Sequence, residues 1–366
     1  MSQKKALFLP FMQIPTGHHH VADALIELSN RYMDCSKVDI LSYSFGPMEK
    51  VVSSAYLTWI RHFPGVYDRI YQFAAYRNSP KVSRHYLYEL LFVHFFKRLT
   101  SVQSPHILFC THALPSSIAS VLKKKNQLNA IVVNVYTDFF INRVWGIEGI
   151  DYHLVATEAM KEHLVKRGVP PERIVMTGIP VHPAFNTRTL NKKTGDKLSV
   201  LVTGGSLGVG AIHQLVRACQ SGKINYLVLC GKNSALYNQL KSAENPSIRP
   251  FPYIENKQDL NKIYDSVDGV LTKPGGVTVS ECLIKRKPVF LYNPLPGQEM
   301  INAEELTRIG LARMVEVNSG LEQQIIGFFT DRAERKKHKI NLDAYHEQLD
   351  SRPVNSVIEE LIRKKH

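Results

Sequence analysis

Residues 267–305 constrain the fold more than any other stretch, because strand, glycine turn, helix, strand and proline loop follow one another there without interruption. Val267-Asp268-Gly269-Val270-Leu271-Thr272 is a short apolar run of buried-strand type that breaks at Lys273-Pro274-Gly275-Gly276. A helix is predicted over 277–284, and Lys285-Arg286-Lys287-Pro288 ends it, since cations suit a helix C-terminus and proline cannot continue one. Val289-Phe290-Leu291-Tyr292 reads as the next buried strand, so the local unit is βαβ and the class α/β. Glycines before a helix start let backbone N–H groups close on an anion, with about 0.3–1 kcal/mol added by the helix dipole. Gly275 and Gly276 are therefore a candidate phosphate cradle. Glu281, one turn inside the helix, shares a face with Val277 and Thr278 and is placed to reach a ribose. Asn293-Pro294-Leu295-Pro296-Gly297 delivers Gln298 and Glu299 to the next helix start, where they suit sugar hydroxyls. Local pattern also fits an ordinary βαβ turn with a helix-capping glutamate.

With 366 residues and 44% apolar content, the chain can bury a large core and is expected to form two domains. Its 46 Lys and Arg against 32 Asp and Glu give +14, which favours anionic partners such as nucleotides, nucleic acid or an acidic membrane face. Five scattered cysteines without a C-x-x-C pair indicate neither a disulfide framework nor a zinc site, as suits a reducing cytoplasm. The opening apolar run is too short for a signal sequence, and no stretch approaches the ~20 apolar residues of a spanning helix. Membrane contact is thus expected to be peripheral, at the inner face.

The run Thr272-Lys273-Pro274-Gly275-Gly276-Val277-Thr278-Val279-Ser280-Glu281, followed by Asn293-Pro294-Leu295-Pro296-Gly297-Gln298-Glu299 and Asn302-Ala303, closely resembles the monogalactosyldiacylglycerol and diglucosyldiacylglycerol synthase family. Members are membrane-surface glycosyltransferases of the GT-B fold, two Rossmann-like doubly wound domains facing each other across a cleft, distantly related to the N-acetylglucosaminyltransferase of lipid II synthesis. The resemblance covers most of the chain. It implies that Glu281 holds the ribose of a UDP-sugar and that Gln298 and Glu299 contact the donor sugar.

In the N-terminal half, Ala6-Leu7-Phe8-Leu9-Pro10 reads as a first strand and 21–28 as a helix, with His18, His19 and His20 at its start. Consecutive histidines point to different sides and serve one metal poorly; capping the helix is one reading. The family carries a glycine-histidine pair at this turn with alanine four residues after the histidine, which Gly17-His18 and Ala22 match, and this makes His18 the candidate general base. Residues 56–98 are dense in aromatics and cations, among them Trp59, Phe63 and Arg69. Membrane docking at an acceptor entrance, helix core with a solvated rim, and stacking on single-stranded nucleic acid all fit that composition, and docking is the reading adopted. Strands are predicted over 106–112 and 130–138, each ending in polar residues. Thr137-Asp138-Phe139 matches an acceptor-side landmark of the family and makes Asp138 a candidate for orienting His18 or the acceptor. Trp145 is grouped with the acceptor and membrane residues. The family's diacylglycerol enzymes carry a histidine before and after this tryptophan, whereas Asn142 and Ile147 stand here.

The polar segment 186–197 is the expected linker, giving an N-terminal domain over 1–188 and a donor-binding domain over 189–341, with a terminal helix over 342–366 packing back on the first. Thr203-Gly204-Gly205-Ser206-Leu207-Gly208 is a weak dinucleotide signal by itself, and no G-x-x-x-x-G-K-[ST] loop occurs. The lipid II relative holds the donor diphosphate with a similar loop, which points to Gly205 and Ser206; it seats uracil at a segment corresponding to Tyr253 and Ile254. The family inverts the anomeric centre with one base and a stabilised leaving UDP, and no D-x-D pair for a metal-dependent design is present. The expectation is an inverting transferase moving a hexose from a UDP-sugar to a lipid acceptor, with no cofactor or metal and no nucleic-acid partner. The alternatives are a GT-B enzyme with a non-diacylglycerol acceptor and a non-catalytic membrane-bound UDP-sugar sensor.

Overall fold

Among the described residues, twelve short strands form two separate sheets, each of six strands paired entirely in parallel. The computed structural model describes residues 4–11, 17–45, 86–187, 197–204 and 222–363. Trp59, Phe63, Arg69, Gly205 and Ser206 lie outside the described residues, as do positions 188–196 of the expected linker. The chain divides into one unit over Met1–Val181 with Gln348–His366 and a second over His182–Glu347.

In the first unit, β1 (Lys5–Leu9), β2 (Asp34–Lys37), β3 (Ile107–Cys110), β4 (Ile131–Val135), β5 (Tyr152–Val155) and β6 (Ile174–Met176) stand in the order β2-β1-β3-β4-β5-β6. A parallel sheet is covered on both faces, which is why β3 and β4 read as unbroken apolar runs and are buried throughout. Phe8 stacks on Phe109 across the β1–β3 pair at 4.7 Å. The order reverses between β1 and β3, and the helix Gly17–Ser29 follows β1 and leads to β2. The C-terminal helix Val354–Arg363 packs against Gly17–Ser29 and buries Val357, Ile358 and Leu361.

The second unit carries β7 (Leu198–Thr203), β8 (Ile224–Leu229), β9 (Ile248–Phe251), β10 (Gly269–Thr272), β11 (Val289–Leu291) and β12 (Arg313–Met314) in the order β12-β11-β10-β7-β8-β9. Taken from its own first strand, this is the doubly wound 3-2-1-4-5-6 order. The reversal falls between β7 and β10, where Thr272 and Thr203 are in register. Val200, Val202, Tyr226, Val228, Leu271 and Phe290 form its core with Leu321, Ile325 and Phe328 of the helix Leu321–Thr330.

The boundary between units falls at Val181 rather than at 188, because the turn Pro183–Asn186 is packed on the second unit. Phe185 is 1% exposed and meets Tyr264 edge to face at 5.3 Å. The Thr187 carbonyl accepts from Lys285 Nζ at 2.6 Å, and Lys285 is also paired with Asp265 at 2.7 Å in a site from which both side chains are almost wholly excluded from solvent.

Candidate functional site

Open α/β sheets place their sites outside the carboxyl ends of the strands where the order reverses, and each unit concentrates polar side chains there. In the first unit, His18 enters from the start of Gly17–Ser29, Thr111 and His112 follow β3, and Thr137 follows β4. His18 Nδ1 lies 2.9 Å from the Thr111 carbonyl oxygen and 2.9 Å from Thr137 Oγ1. A carbonyl oxygen only accepts, so Nδ1 carries the proton and Nε2 is left with its lone pair. Burial, reinforced by neighbouring His19 and opposed by the Thr111 carbonyl, brings the imidazole pKa down to about 4, so the ring is neutral at physiological pH. Its environment therefore fixes the tautomer and keeps the ring neutral.

His112 stands edge to face with His18 at 4.7 Å and stacks on Phe11 at 4.7 Å. Its Nδ1 accepts from the Leu114 N–H at 3.1 Å and so caps the helix Ala113–Lys124. Burial holds its pKa well below the usual histidine value. Sequence reasoning singled out neither His112 nor Thr111. Of the landmark at 137–139, Thr137 meets His18, and Asp138, next in the chain, is half-buried.

The loop after Asp138 is fastened to the helix Ala113–Lys124. Ser116 Oγ accepts from the Gly146 N–H at 3.1 Å, and Ser120 Oγ donates to the Glu148 carbonyl at 2.6 Å. A Cβ on Gly146 would stand 2.5 Å from both the Ser116 carbonyl oxygen and Ser120 Cβ, so only glycine permits this approach. Asn134 Nδ2 donates to the Gly146 carbonyl at 2.7 Å from beneath. Trp145, grouped above with the acceptor and membrane residues, is 6% exposed with its ring 4.5 Å from that of Tyr136, so the side chain is core beneath the loop. Asn142 Oδ1 accepts from the Val144 N–H at 3.0 Å, so that oxygen serves the loop's own turn.

In the second unit, the helix Gly276–Ile284 starts at Gly275 without a side-chain cap, and a Cβ on Gly275 would meet nothing within 4 Å. A helix's first-turn N–H groups lack intrahelical partners, and with no side-chain cap at Gly275 this helix start has the makings of an anion cradle. Asn302 Nδ2 donates to the Pro274 carbonyl at 3.1 Å and holds the turn from the helix Gln298–Arg308. Glu281 is 8% exposed, and the buried Tyr264 hydroxyl donates to its Oε2 at 2.8 Å. Burial raises the Glu281 carboxyl to about 7 against the opposing effects of Lys257 and the Tyr264 hydrogen bond.

Gln298 is half-buried at the helix start, where Gly297 adopts φ 86°. Glu299 Oε2 accepts from the Leu295 N–H at 2.7 Å and faces Lys273 Nζ at 3.4 Å, so this oxygen closes the proline loop and tethers the cation that precedes the glycine turn. Lys273 was quoted in the motif without a role. Tyr253 is 36% exposed with Lys232 Nζ 5.4 Å above its ring, and Ile254 beside it is half-buried. Among the described residues no group of three or more His, Cys, Asp or Glu side chains is arranged to hold a metal ion, and no helix is long and apolar enough to cross a membrane.

Residues 18–181 match the family model of monogalactosyldiacylglycerol synthase, and residues 199–349 match the C-terminal domain of glycosyltransferase family 28. The uncharacterised glycosyltransferase YkoN of Bacillus subtilis (strain 168) is 40% identical over 368 residues, covering 99% of this chain and 98% of the relative. The chain belongs to the monogalactosyldiacylglycerol synthase family of glycosyltransferases. This glycosyltransferase is also 34% identical over 235 residues to a processive diacylglycerol β-glucosyltransferase of Bacillus cereus (strain B4264), a match spanning 61% of this chain and 59% of that enzyme. In fold it is similar to MurG of Acinetobacter baumannii, with TM-score 0.62, 14% identity and coverage of 98% and 99% of the two chains. The calicheamicin glycosyltransferase CalG4 matches with TM-score 0.58 and 13% identity over the whole of both chains. These likenesses make the architecture of the family 28 transferase GT-B.

Proposed function

We propose that this glycosyltransferase inverts a UDP-hexose, transferring the sugar to a hydroxyl of a lipid acceptor, diacylglycerol or a glycosyl-diacylglycerol, at the cytoplasmic membrane face. The observation that carries the reading is His18 Nδ1 held 2.9 Å from the Thr111 carbonyl oxygen, which leaves Nε2 as the ring's acceptor. In the reaction, the acceptor O–H gives its proton to Nε2 as the oxygen bonds to the anomeric carbon. The bond from that carbon to the diphosphate breaks, and UDP leaves with the electron pair. Asp138 orients the acceptor beside Thr137. On the donor side, Glu281 accepts from the ribose, the Gly275-Gly276 helix start and the Gly205-Ser206 loop stabilise the leaving diphosphate by preorganised dipoles without a metal, and Tyr253 with Ile254 seats the uracil. Gln298 and Glu299 read the sugar. The relationship to diacylglycerol glucosyltransferases supports a lipid acceptor, and the +14 charge supports docking on an anionic membrane.

A second reading, a non-diacylglycerol acceptor, is favoured by the loop at 142–147. There Asn142 is engaged in its own turn and Ile147 offers no polar group, at positions where the diacylglycerol enzymes carry histidines. The deciding experiment incubates the purified protein with membrane lipid extract and a panel of UDP-sugars, following UDP release and labelled lipid by mass. A new glycolipid with stoichiometric UDP establishes the first reading. UDP release with a labelled water-soluble product establishes the second, and donor binding without turnover under every condition overturns both in favour of a sensor.

A further inference from the structure

We propose that Tyr264 is a positioning residue for donor binding: its hydroxyl pins Oε2 of Glu281 so that Oε1 is presented to the ribose hydroxyls. The inference rests on the ribose role proposed for Glu281. Tyr264 projects from the helix Lys257–Ser266, which Asn256 caps through the Gln258 and Asp259 N–H groups. The ring is 1% exposed and braced edge to face by Phe185 at 5.3 Å, so the hydroxyl is delivered from a fixed point. Burial and the adjacent Glu281 push the Tyr264 hydroxyl well above its ordinary pKa, which leaves it a donor throughout the neutral range. With one oxygen held at 2.8 Å, the carboxylate cannot turn freely, and its second oxygen keeps one direction.

The same geometry makes donor binding sensitive to pH. A ribose diol brings O–H donors, which an ionised carboxylate accepts; a protonated carboxyl loses acceptor capacity. The titratable groups around Glu281 are Lys257 and Tyr264 on the facing helix and Cys282 on its own. Lys285, one turn further along, is occupied by Asp265 and the Thr187 carbonyl. Since burial lifts the Glu281 carboxyl to about 7, donor affinity should rise as pH increases through that value and level off above it. Removing the Tyr264 hydroxyl withdraws a bond that favours the ionised form, so the midpoint should move to higher pH.

UDP binding is measured by calorimetry from about pH 5.5 to 9 for wild type, Tyr264→Phe and Glu281→Gln. Dividing by the Glu281→Gln affinity cancels the titration of UDP's own terminal phosphate near pH ~6. Tyr264→Phe keeps the ring against Phe185; it should bind about tenfold more weakly at neutral pH, with the gap narrowing at high pH to the part owed to lost orientation. A Tyr264→Phe profile superimposed on wild type overturns the inference. Glu281→Gln binding UDP as wild type does at every pH overturns the ribose reading itself, a distinguishable result. If Tyr264→Phe does not fold, 2′- and 3′-deoxy-UDP on wild type decide: the penalty for the missing hydroxyl should grow as pH rises through the Glu281 midpoint, and a penalty independent of pH refutes the proposal.

Discussion

Thr137 Oγ1 stands 2.9 Å from His18 Nδ1 although 119 residues separate them. The contact exists because β1 and β4 flank β3 in one parallel sheet, so the turns after all three strands meet at one end. His18→Ala removes the proposed base, and turnover should fall by about 10² to 10⁴ while UDP affinity stays within twofold or so of wild type. Thr137→Val removes one of two Nδ1 partners and leaves the Thr111 carbonyl, so turnover should fall by only about three- to tenfold. Steady-state kinetics with parallel UDP titrations check both. Equal losses in turnover and in donor affinity would count against His18 as the base.

Glu281→Ala should weaken UDP binding by about 1.5 to 3 kcal/mol, the range for losing hydrogen bonds to a charged group. The Tyr264 hydroxyl is simultaneously left buried without its acceptor. Melting temperature is therefore recorded beside the calorimetric titration. An unchanged donor affinity in a folded variant removes Glu281 from the ribose.

The central strands of both sheets were legible because parallel strands buried on two faces are continuous apolar runs, as in Ile131-Val132-Val133-Asn134-Val135 and Val289-Phe290-Leu291. Three edge strands were not: Asp34–Lys37, Ile248–Phe251 and Arg313–Met314 carry polar residues or proline, as strands with one unpaired side do. Motif resemblance located the glycine turn, Glu281 and His18. It missed the side chains that set their chemistry, since Tyr264 and Glu281 belong to different helices 17 residues apart and Thr111 acts through a backbone carbonyl that any residue could supply. Trp145 was grouped with the acceptor residues through a family landmark, and a landmark in the sequence does not say that the ring packs on Tyr136.

Gly146→Ala tests how the loop after Asp138 is held. The added methyl would overlap the Ser116 backbone and Ser120 Cβ at 2.5 Å, and a helix backbone cannot yield as a side-chain tip can. The loop should lift from the helix Ala113–Lys124, costing about 1–3 kcal/mol of stability. KM for the acceptor should rise well before the donor constant changes, because the displaced residues belong to the His18 unit. Calorimetric unfolding and separate donor and acceptor KM values check the two parts.

Lys285→Met leaves Asp265 buried without its cation and deprives the Thr187 carbonyl of a donor, and the expected loss is about 3–5 kcal/mol. Replacing both partners, Asp265→Leu with Lys285→Met, should recover most of that loss, since apolar residues of similar volume avoid the desolvation cost of the pair. Chemical denaturation of the two single variants and the double variant gives the coupling directly. A double variant no more stable than either single would show that the ions are held chiefly by bonds beyond their mutual one.

The two shifted groups divide the pH dependence of the reaction between them. His18 is lowered to about 4, so as a base it stays unprotonated well into the acid range and loses function only as pH falls toward that value. Glu281 is raised to about 7, so its accepting form is lost earlier, as pH drops through neutrality. Since kcat/KM for the donor reports free enzyme, its acid limb should fall near pH 7, following Glu281. At saturating donor the ribose helps to hold Glu281 ionised, and kcat should persist to lower pH until His18 takes a proton. Initial rates across pH at saturating acceptor, with donor varied, separate the limbs. Glu281→Gln should abolish the one near neutrality and leave the lower one in place, whereas a single common limb near pH ~6.5 in both parameters would mean that His18 titrates as an ordinary solvent-exposed histidine.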